Sequence, residues 1–556
     1  MKILVTYPLS PRLVQAGLGD LVVYKPELAS QPETALQREL AEQLPDATLV
    51  NGSCPGPNTL AAWRNEAKQA VQLIRCHRGD VTERLDVSGV DYHQVQGAPS
   101  NLPDDLQALG LAERRVMQIK TERRLAACGI ASSSAPSSSS APSASSAPSA
   151  SSAPSLAGSR IVLVGAGIVN LMTANRLIDA GAEVEILEAS PDPRSRPPWQ
   201  LLGTTHGGDN ARIFSFAEGN NYTRQGRKAL RRAIRQGGWL ATARETLDRD
   251  ERRWLERFHA VPSWRAEVFD EDIHAFCASS YPLWQRLRET TPQLFEGVGY
   301  TSGVLQLYAE DAAGEAGEAR HARLGSLIRS FDQDTLRQAH PALESPARHG
   351  RIARAMELRG FSLQIHEFVS HLLAHLETRG AQVHWNRPAT AITRSGDGLV
   401  TGLDTPAGPV RGDHYVLSPG ATGNRLLEGT RSAGKIQGVL GLWLSFPNLE
   451  PRLEQPIKLH REGHVGEDAN ITLGTDKAGR AVLILGSGYG YLGSQPLDLE
   501  SPDVECLFEA LEETARRYFP RATTQAANDG SLAQGRKACV RPFTCTGLGI
   551  FDVSAT

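Results

Sequence analysis

The chain has 556 residues, with 59 Lys and Arg against 62 Asp and Glu, so its formal net charge is −3. This near-neutral charge argues against a nucleic-acid-binding protein, and the lack of an apolar run of about 20 residues argues against a membrane span. Seven scattered cysteines without zinc-type spacing, and an N-terminus without a secretory signal, predict a soluble cytoplasmic protein with no structural metal.

A boundary in composition divides the chain. Residues 131–155 contain only Ala, Ser and Pro, a composition that cannot bury enough apolar surface to offset the entropy of ordering it. Proline extends such a segment, whereas serine and alanine loosen it. We therefore predict a disordered linker over residues 131–156, which separates an N-terminal domain from a larger body.

Strand-like and helix-like runs alternate before the linker, which predicts a parallel sheet with crossover helices. The predicted strands are 2–7, 48–51 and 72–76, and the predicted helices are 33–44, 59–71 and 102–128.

This segment resembles the N-terminal domain of D-2-hydroxyacid dehydrogenases in MKILVTYPLSP, PDATLVNGSCPGPNTLAAW and QLIRCHRGDVTERLDVSG. Arg78-Gly79-Asp80 stands where that family has a glycine-rich loop, so the resemblance implies a degenerate domain over residues 1–130. We expect this domain to fold independently and to bind no dinucleotide. The alternative is an active dehydrogenase half.

A dinucleotide-binding fingerprint follows the linker. RIVLVGAGIVN, ending at Asn170, predicts a strand, a tight turn and a helix start, and a second strand ends at Glu188. Gly165 permits the turn, Gly167 lets the backbone approach a pyrophosphate, and the helix N-terminus favours negative charge. Glu188 lies 23 residues after Gly165, close to the spacing of about 20 at which a carboxylate reaches the ribose hydroxyls. Asn170 replaces the third glycine and predicts slightly wider helix–strand packing.

The fingerprint alone fits NAD and FAD equally, but the sequence after it favours FAD. TTHGGDNARIF (204–214) takes the place of the further short strand–helix units of an NAD domain. An amphipathic helix is predicted over 365–379. HYVLSPGAT (414–422) is similar to the strand that closes a flavin-binding fold.

This order of motifs resembles the D-amino-acid oxidase and glycine oxidase superfamily of FAD enzymes, most closely its monomeric sarcosine oxidase-like amine oxidases. The resemblance rests on the fingerprint, on THGGDNARIFSFAEGNNY (205–222) and on KACVRPFTCTGLGI (537–550). It implies an α/β fold with a Rossmann-like FAD-binding domain, interleaved with an α+β substrate domain built on a mixed or antiparallel sheet. The implied FAD-binding segments are 157–232, 350–433 and 530–556, and the substrate-domain segments are 233–349 and 434–529.

The resemblance also implies which residues act at the site. His206 and Arg212 would lie beside the flavin and are candidate catalytic residues, together with Tyr489 on the sheet over it. For each of the three, a purely structural role is the alternative. The implied cofactor contacts are Gly165, Gly167, Ile168, Asn170, Glu188, Ala189, Arg194, His206, Arg212, Ala389, Gly420 and Cys539.

The chain departs from the family at one position that bears on the substrate. Ser215 replaces an arginine that grips the substrate carboxylate, so bidentate recognition at that position is lost. The substrate is then larger, tethered or held from elsewhere, for example by Arg461 or His464. Tyr489 and Tyr491 fall where the family has side chains that face the substrate, with exposed aromatics as the alternative.

The predicted activity is oxidation of a C–N bond of an amine or amino-acid-like substrate to an imine. A hydride passes to flavin N5, and dioxygen or another acceptor reoxidises the flavin. One alternative is a flavin-dependent monooxygenase, and another is a non-catalytic scaffold protein that keeps the flavin fold.

A cysteine in the motif KTCMYT is bonded to the flavin in this family, and Cys539 occupies that position. We therefore predict covalent FAD, with the thiolate favoured by Arg536, Lys537 or Arg541. Cys545 is the competing candidate, and a buried structural cysteine is the alternative. Because the family continues beyond the equivalent of Phe551, we also expect a second polypeptide to complete the FAD domain.

Overall fold

The fold is known from a computed structural model, which describes most of the chain. Residues 131–155 of the predicted linker and His206 lie outside the described residues, as does the side chain of Tyr489. Among the described helices, none is long and apolar enough to cross a lipid bilayer. The described residues are 1–51, 54–77, 85–98, 100–127, 156–195, 212–215, 242, 244–461, 464, 468–476 and 478–553.

Five parallel strands form the N-terminal sheet, in the order β2-β1-β3-β4-β5. The predicted alternation of strands and helices is confirmed from β1 to β4, where α1, α2 and α3 lie between successive parallel strands. The elements are β1 (Ile3–Val5), α1 (Pro11–Ala16), β2 (Val22–Tyr24), α2 (Glu33–Gln43), β3 (Ala47–Asn51), α3 (Pro57–Ala67), β4 (Val71–His77), β5 (Val90–Gln96) and α4 (Leu102–Ala127).

The body contains a small parallel sheet and a large mixed sheet. Its elements begin with β6 (Arg160–Val164), α5 (Ile168–Asp179), β7 (Glu183–Leu187), β8 (Ile213–Ser215), α6 (Arg249–His259), α7 (Ser263–Thr290), β9 (Thr301–Tyr308), α8 (Asp311–Arg323), β10 (Leu327–Phe331), α9 (Gln333–Ala339), α10 (Glu344–Arg348), β11 (Arg354–Ser362) and α11 (Ile365–Thr378). They continue with β12 (Gln382–His384), β13 (Ala391–Arg394), β14 (Val400–Asp404), β15 (His414–Leu417), β16 (Ile436–Pro447), β17 (Ile457–His460), β18 (Asn470–Thr475), β19 (Ala481–Gly493), α12 (Pro502–Tyr518), α13 (Pro520–Asn528), α14 (Ser531–Gln534) and β20 (Lys537–Thr544).

The small sheet has four parallel strands in the order β12-β7-β6-β15. Helices α5 and α11 pack against one another and share an apolar core with the sheet. The predicted helix over 365–379 is confirmed, with Val369, Leu372, Leu373 and Leu376 all buried. This arrangement confirms the predicted Rossmann-like part of an α/β fold.

The large sheet has the order β10-β11-β9-β17-β18-β19-β16-β20, with β8 pairing to β11. Its pairs are antiparallel except for β9 with β17, which are parallel. One face packs against α12 and α13 around a core that includes Leu440, Leu442 and Leu444.

Strand pairing departs from the predicted domain boundaries. Strands β8, β11 and β20 hydrogen-bond within the large sheet, whereas the boundaries assign 157–232, 350–433 and 530–556 to the FAD-binding domain. The order of motifs along the chain does not show which strands pair, because pairing joins segments that are distant in sequence.

The N-terminal core is not self-contained. Trp264 and Val268 from α7 are buried in the same apolar cluster as Ile3, Val5 and Ala112. A helix of the body therefore supplies part of the apolar core of residues 1–130, which argues against the predicted independent folding of this segment.

Candidate active site

The loops after β6, β7 and β15 meet at one edge of the small sheet. These strands are parallel, and β6 lies between β7 and β15, so their carboxyl ends lie side by side. The N–H of Gly165 donates to the carbonyl of Leu187 at 2.8 Å and joins the first two loops. The fold therefore brings Gly165, Glu188 and Gly420 to a common edge, where open α/β sheets bind ligands.

Two glycines shape the turn after β6. Gly165 has φ +96°, and a Cβ added there would lie 2.6 Å from the carbonyl oxygen of Ser418, so the position admits only glycine. Gly167 precedes α5, and a Cβ added there would meet nothing within 4 Å. The first turn of α5 carries no acidic residue. This helix N-terminus is therefore open and suited to a phosphate.

Asn170 stabilises the same turn. Its side-chain Nδ2 donates to the carbonyls of Val164 at 2.7 Å and Gly165 at 2.9 Å. The residue is 1% exposed. Its Oδ1 is buried without a hydrogen-bond partner. Asn170 therefore stabilises the turn through two side-chain hydrogen bonds to backbone carbonyls.

Glu188 lies beside the turn, at the end of β7. Its carboxylate accepts hydrogen bonds from the N–H groups of Ala166 at 2.6 Å and Ser190 at 2.8 Å. Its backbone carbonyl accepts from the N–H of Arg387 at 2.8 Å, which brings the segment containing Ala389 to the same edge. This is the arrangement expected of a carboxylate that binds a ribose.

These groups fit the adenosine diphosphate half of FAD. Gly165, Gly167 and the N–H of Ile168 would hold the pyrophosphate, and Glu188 would bind the ribose, with Ala189 exposed beside it.

The small sheet adjoins the large sheet just beyond Gly420. The short turn Ala421–Arg425 packs against β16 and β20. Asn424 in this turn donates from Nδ2 to the carbonyl of Ile436 at 2.8 Å. The nucleotide-binding edge therefore adjoins β20, which carries Cys539 and Arg541, and its neighbour β16.

One face of the large sheet carries the polar side chains, and we call it the site face. Cys539 pairs with Gly441, and Lys537 with Trp443. Residues directly opposite one another share a face of a sheet, and alternate residues share it too. Arg541, two residues after Cys539, therefore also lies on the site face.

Arg541 lies over Gly441. A Cβ added to Gly441 would be 2.5 Å from the central carbon of the Arg541 guanidinium. A side chain at Gly441 would displace the guanidinium, so this glycine makes room for the cation. Sequence reasoning considered Arg541 only as a neighbour of Cys539 and missed its place on the site face.

The two candidate cysteines have different surroundings. Cys539 is buried in a small cluster with Trp443 and Ile484 on the site face. Cys545 is half-buried against a second cluster, which contains Trp254 and Tyr491 and is covered by α6. Burial raises the pKa of the Cys545 thiol, and nearby arginines oppose the rise only in part, so its thiolate is disfavoured.

The three cations near Cys539 in sequence are not equivalent in space. Arg536 donates to the carboxylates of Glu505 and Glu512 on α12 at 2.8 and 2.6 Å. It is therefore held on the helix side of the sheet. Lys537 and Arg541 share the site face with the sulfur.

Arg212 is 2% exposed. Its Nη1 donates to the carbonyl of Leu473 at 2.8 Å, and its Nη2 lies 3.5 Å from Nδ1 of His366. A Cβ added to Gly474 would be 3.3 Å from Arg212 Nη1 and 2.6 Å from Ile484 Cδ1. Ile484 packs with Cys539 on its other side, so the fold brings Arg212 and Cys539 to one face.

Three polar groups of the site face are buried without hydrogen-bond partners: the Trp443 indole N–H, the Tyr491 hydroxyl and the Gln437 Oε1. Each such group costs about 1–3 kcal/mol unless a ligand or water satisfies it. Tyr491 is 0% exposed, and the centroid of its ring lies 5.3 Å from that of Trp254. The alternative of an exposed aromatic is therefore wrong for Tyr491.

Three other candidate contacts of the cofactor or the substrate lie next to carboxylates of the chain itself. Arg194 donates to Asp192 at 2.7 Å and to Glu377 at 2.6 Å, and both carboxylates raise its pKa; its contact with the cofactor stays a prediction. Arg461 donates to Glu513 at 2.6 Å, and His464 lies 3.3 Å from the same carboxylate. The alternative that Arg461 or His464 holds the substrate is therefore not favoured.

Solved structures with distant similarity include oxidases and dehydrogenases of amino acids. Glycine oxidase from Geobacillus kaustophilus is 14% identical, with 70% of this chain and 85% of that chain covered and a TM-score of 0.44. L-proline dehydrogenase from P. horikoshii is 14% identical, with 70% and 82% covered and a TM-score of 0.40. NikD, an amino acid oxidase of nikkomycin biosynthesis, is 15% identical, with 69% and 82% covered and a TM-score of 0.42.

The profile of the DAO family, described as FAD dependent oxidoreductase, matches residues 160–555. The match covers more than half of the chain and includes the fingerprint turn, Glu188 and the strand that carries Cys539. The N-terminal domain precedes it. The chain therefore belongs to the DAO family of FAD-dependent oxidoreductases, and FAD is its cofactor.

Proposed function

We propose that this protein oxidises the C–N bond of an amine or amino-acid-like substrate to an imine. Bound FAD supplies the hydride acceptor for the C–H bond next to nitrogen. The residues of the chain bind and orient the substrate. The observation that carries the proposal is the site face, where Arg541, Cys539 and Arg212 lie together next to the nucleotide-binding edge.

Arg541 is the proposed binding group for a substrate carboxylate. A guanidinium can donate two parallel hydrogen bonds to a carboxylate, which fixes both position and orientation. Gly441 beneath it leaves room for this contact. Ser215 is 5% exposed on β8 and has no charge to offer, so the cation of the site comes from a different strand than in the family pattern.

Arg212 is proposed to position the site and to supply fixed positive charge. Its guanidinium is held by Leu473 and lies next to His366. A cation fixed in this way favours the negative charge that develops on a flavin when it is reduced. His206 and Tyr489 remain proposed active-site residues on the strength of the resemblance.

Covalent attachment through Cys539 is part of the proposal. The thioether would join its sulfur to the 8α carbon of the flavin in place of one hydrogen of that methyl group, which would leave as a proton. The two electrons released would reduce the flavin, and its electron acceptor would reoxidise it. Two features support it: Cys539 lies on the site face, and Lys537 and Arg541 on the same face favour a thiolate.

Anaerobic mixing of the purified protein with candidate substrates tests this function. The panel contains secondary amino acids, primary amino acids and amines without a carboxylate. We expect loss of the visible flavin absorbance with at least one secondary or primary amino acid, and its recovery in air. If dithionite bleaches the flavin but no amine or amino acid does, the proposed reaction is wrong.

A further inference from the structure

The N-terminal domain packs on helix α7 of the body. Trp264 is 0% exposed and lies in the apolar cluster of the N-terminal sheet. Its indole N–H donates to the carbonyl of Leu18 at 2.8 Å. An aromatic side chain of this size contributes much of the stability of a small core, so the N-terminal domain depends on a residue of the body.

Beside Trp264, the backbone of the N-terminal domain lies close to two other side chains of the body. A Cβ added to Gly110 would lie 3.1 Å from Cγ2 of Val268, and one added to Gly19 would lie 3.1 Å from Cγ of Pro262. Two glycines of the N-terminal domain therefore let α7 and the residue before it approach closely. Packing of this kind is typical of a domain interior.

Ion pairs flank the apolar contact. Arg265 Nε lies 2.6 Å from the Glu113 carboxylate, whose side chain is only 6% exposed. Arg114 Nε lies 2.6 Å from Asp272. Because Glu113 is buried, removing its partner would leave a charge without compensation, which is strongly destabilising.

The far end of the same helix reaches the core beside the active site. Trp284 on α7 lies 5.0 Å from the ring of Phe214 and 5.4 Å from that of Phe368. Phe214 is two residues after Arg212 on the chain. One helix thus contacts the N-terminal domain at its start and the neighbourhood of Arg212 at its end.

We propose that residues 1–127 are a permanently docked partner of the oxidoreductase body, held by the start of α7, and that the linker serves only as a tether. The occupant of this surface is the chain's own N-terminal domain, because Trp264 and Val268 fill part of its apolar core. Cutting the linker should therefore leave the two parts bound to each other.

A protease site inserted into the Ala/Ser/Pro linker of the full chain tests the proposal. After complete cleavage, we expect both fragments to co-elute in gel filtration at the elution volume of the uncleaved protein. Separate elution of the wild-type fragments would overturn the proposal.

Charge reversal adds a matched set of variants. Arg265→Glu places two carboxylates together and should weaken the association of the cleaved fragments by on the order of a hundredfold. Adding Glu113→Arg to Arg265→Glu should restore most of the lost affinity between the fragments. Leu283→Ala is the control, because Leu283 is on α7 but 63% exposed. If Arg265→Glu and Trp264→Ala both leave co-elution unchanged, the proposed interface does not hold the parts together. The readout does not depend on flavin, so it is separate from the proposed activity.

Discussion

Cys539 and Cys545 are six residues apart and pack against different apolar clusters. Cys539 is buried with Trp443 and Ile484 on the site face. Cys545 is half-buried against aromatic side chains beneath α6, and burial raises the pKa of its thiol. The local sequence makes both cysteines candidates for the bond to the flavin. The surroundings of each sulfur in the fold favour Cys539.

The first prediction concerns the flavin bond. Acid denaturation of the wild-type protein should leave the yellow colour on the polypeptide. Cys539→Ser should release all of the flavin, whereas Cys545→Ser should release none. Absorbance of the precipitated and soluble fractions measures the partition. Full release of flavin from the wild-type protein would show that the cofactor is not covalently bound.

Arg541 offers a second test at the same scale. Arg541→Met should raise KM for a carboxylate substrate about ten- to a hundredfold, because a hydrogen bond to a charged group contributes about 1.5–3 kcal/mol. The KM of Arg541→Lys should lie between those of the wild type and Arg541→Met, because lysine keeps the positive charge but cannot donate two parallel hydrogen bonds. An amine substrate without a carboxylate is the control and should keep its kcat/KM. An equal loss for both substrates would contradict carboxylate binding by Arg541.

The strand–helix–strand unit after the linker needs a particular backbone conformation at its turn and a helix N-terminus that favours negative charge. The turn at Gly165 needs a left-handed residue with no Cβ, and α5 then presents its N-terminus at the sheet edge. Asn170 and Glu188 tie this turn to its neighbours by hydrogen bonds. The strand–helix–strand unit therefore has its binding conformation before any ligand binds.

Gly165→Ala should abolish flavin binding. Its Cβ would clash with the Ser418 carbonyl at 2.6 Å, and a non-glycine residue at φ +96° is strained. Gly350→Ala is the matched control, because Gly350 also has positive φ, +62°, but a Cβ there meets nothing within 4 Å. Both variants should lose about 1–2 kcal/mol of stability, and only Gly165→Ala should lose flavin on purification. Normal flavin content in Gly165→Ala would refute the role of the turn.

Helix α4 begins with a buried carboxylate. Asp105 is 1% exposed and accepts from the N–H of Ser10 at 2.7 Å. Burial raises its pKa from 3.8 to about 6. The folded form therefore binds a proton more tightly than the unfolded form, so its contribution to stability is complete below about pH 4 and is lost as pH rises through 6.

Asp105→Asn should remove this pH dependence. Its melting temperature should rise above that of the wild type at pH 8 and differ little near pH 4, as followed by thermal denaturation across that range. Glu122→Gln, near the other end of the same helix, is the control and should behave like the wild type. A wild-type advantage over Asp105→Asn that grows with pH would contradict the assignment.

At the scale of the whole molecule, the two parts share α7. Trp264 belongs to the N-terminal core, and Trp284 packs against the core of the Rossmann-like part. Unfolding one part therefore exposes apolar surface of the other. The predicted second polypeptide is a separate matter, which none of these contacts tests, and it stays a prediction.

We expect the full chain to unfold in one cooperative transition. Calorimetry and a flavin-release signal should give the same midpoint, because coincident probes indicate two-state behaviour. Trp264→Ala should split the transition into two, with the N-terminal domain melting first. Leu283→Ala should keep one transition. Two well-separated transitions in the wild type would mean that the parts are stable independently.

The sequence by itself determined the elements whose contacts are local. The run from Arg160 to Glu188, the helix at 365–379 and the alternating N-terminal elements follow from periodicity and from glycines at a turn, which act within a few residues. The family and its cofactor follow from the same stretches.

Only the tertiary structure decided the rest. It places β20 beside β16, which brings Arg541 over Gly441, and it sets Arg212 near Cys539 through Gly474 and Ile484. It also buries Trp264 in a core that begins at Ile3. These contacts join residues tens to hundreds of positions apart, and spacing along a chain carries no record of which distant strands and helices pack together.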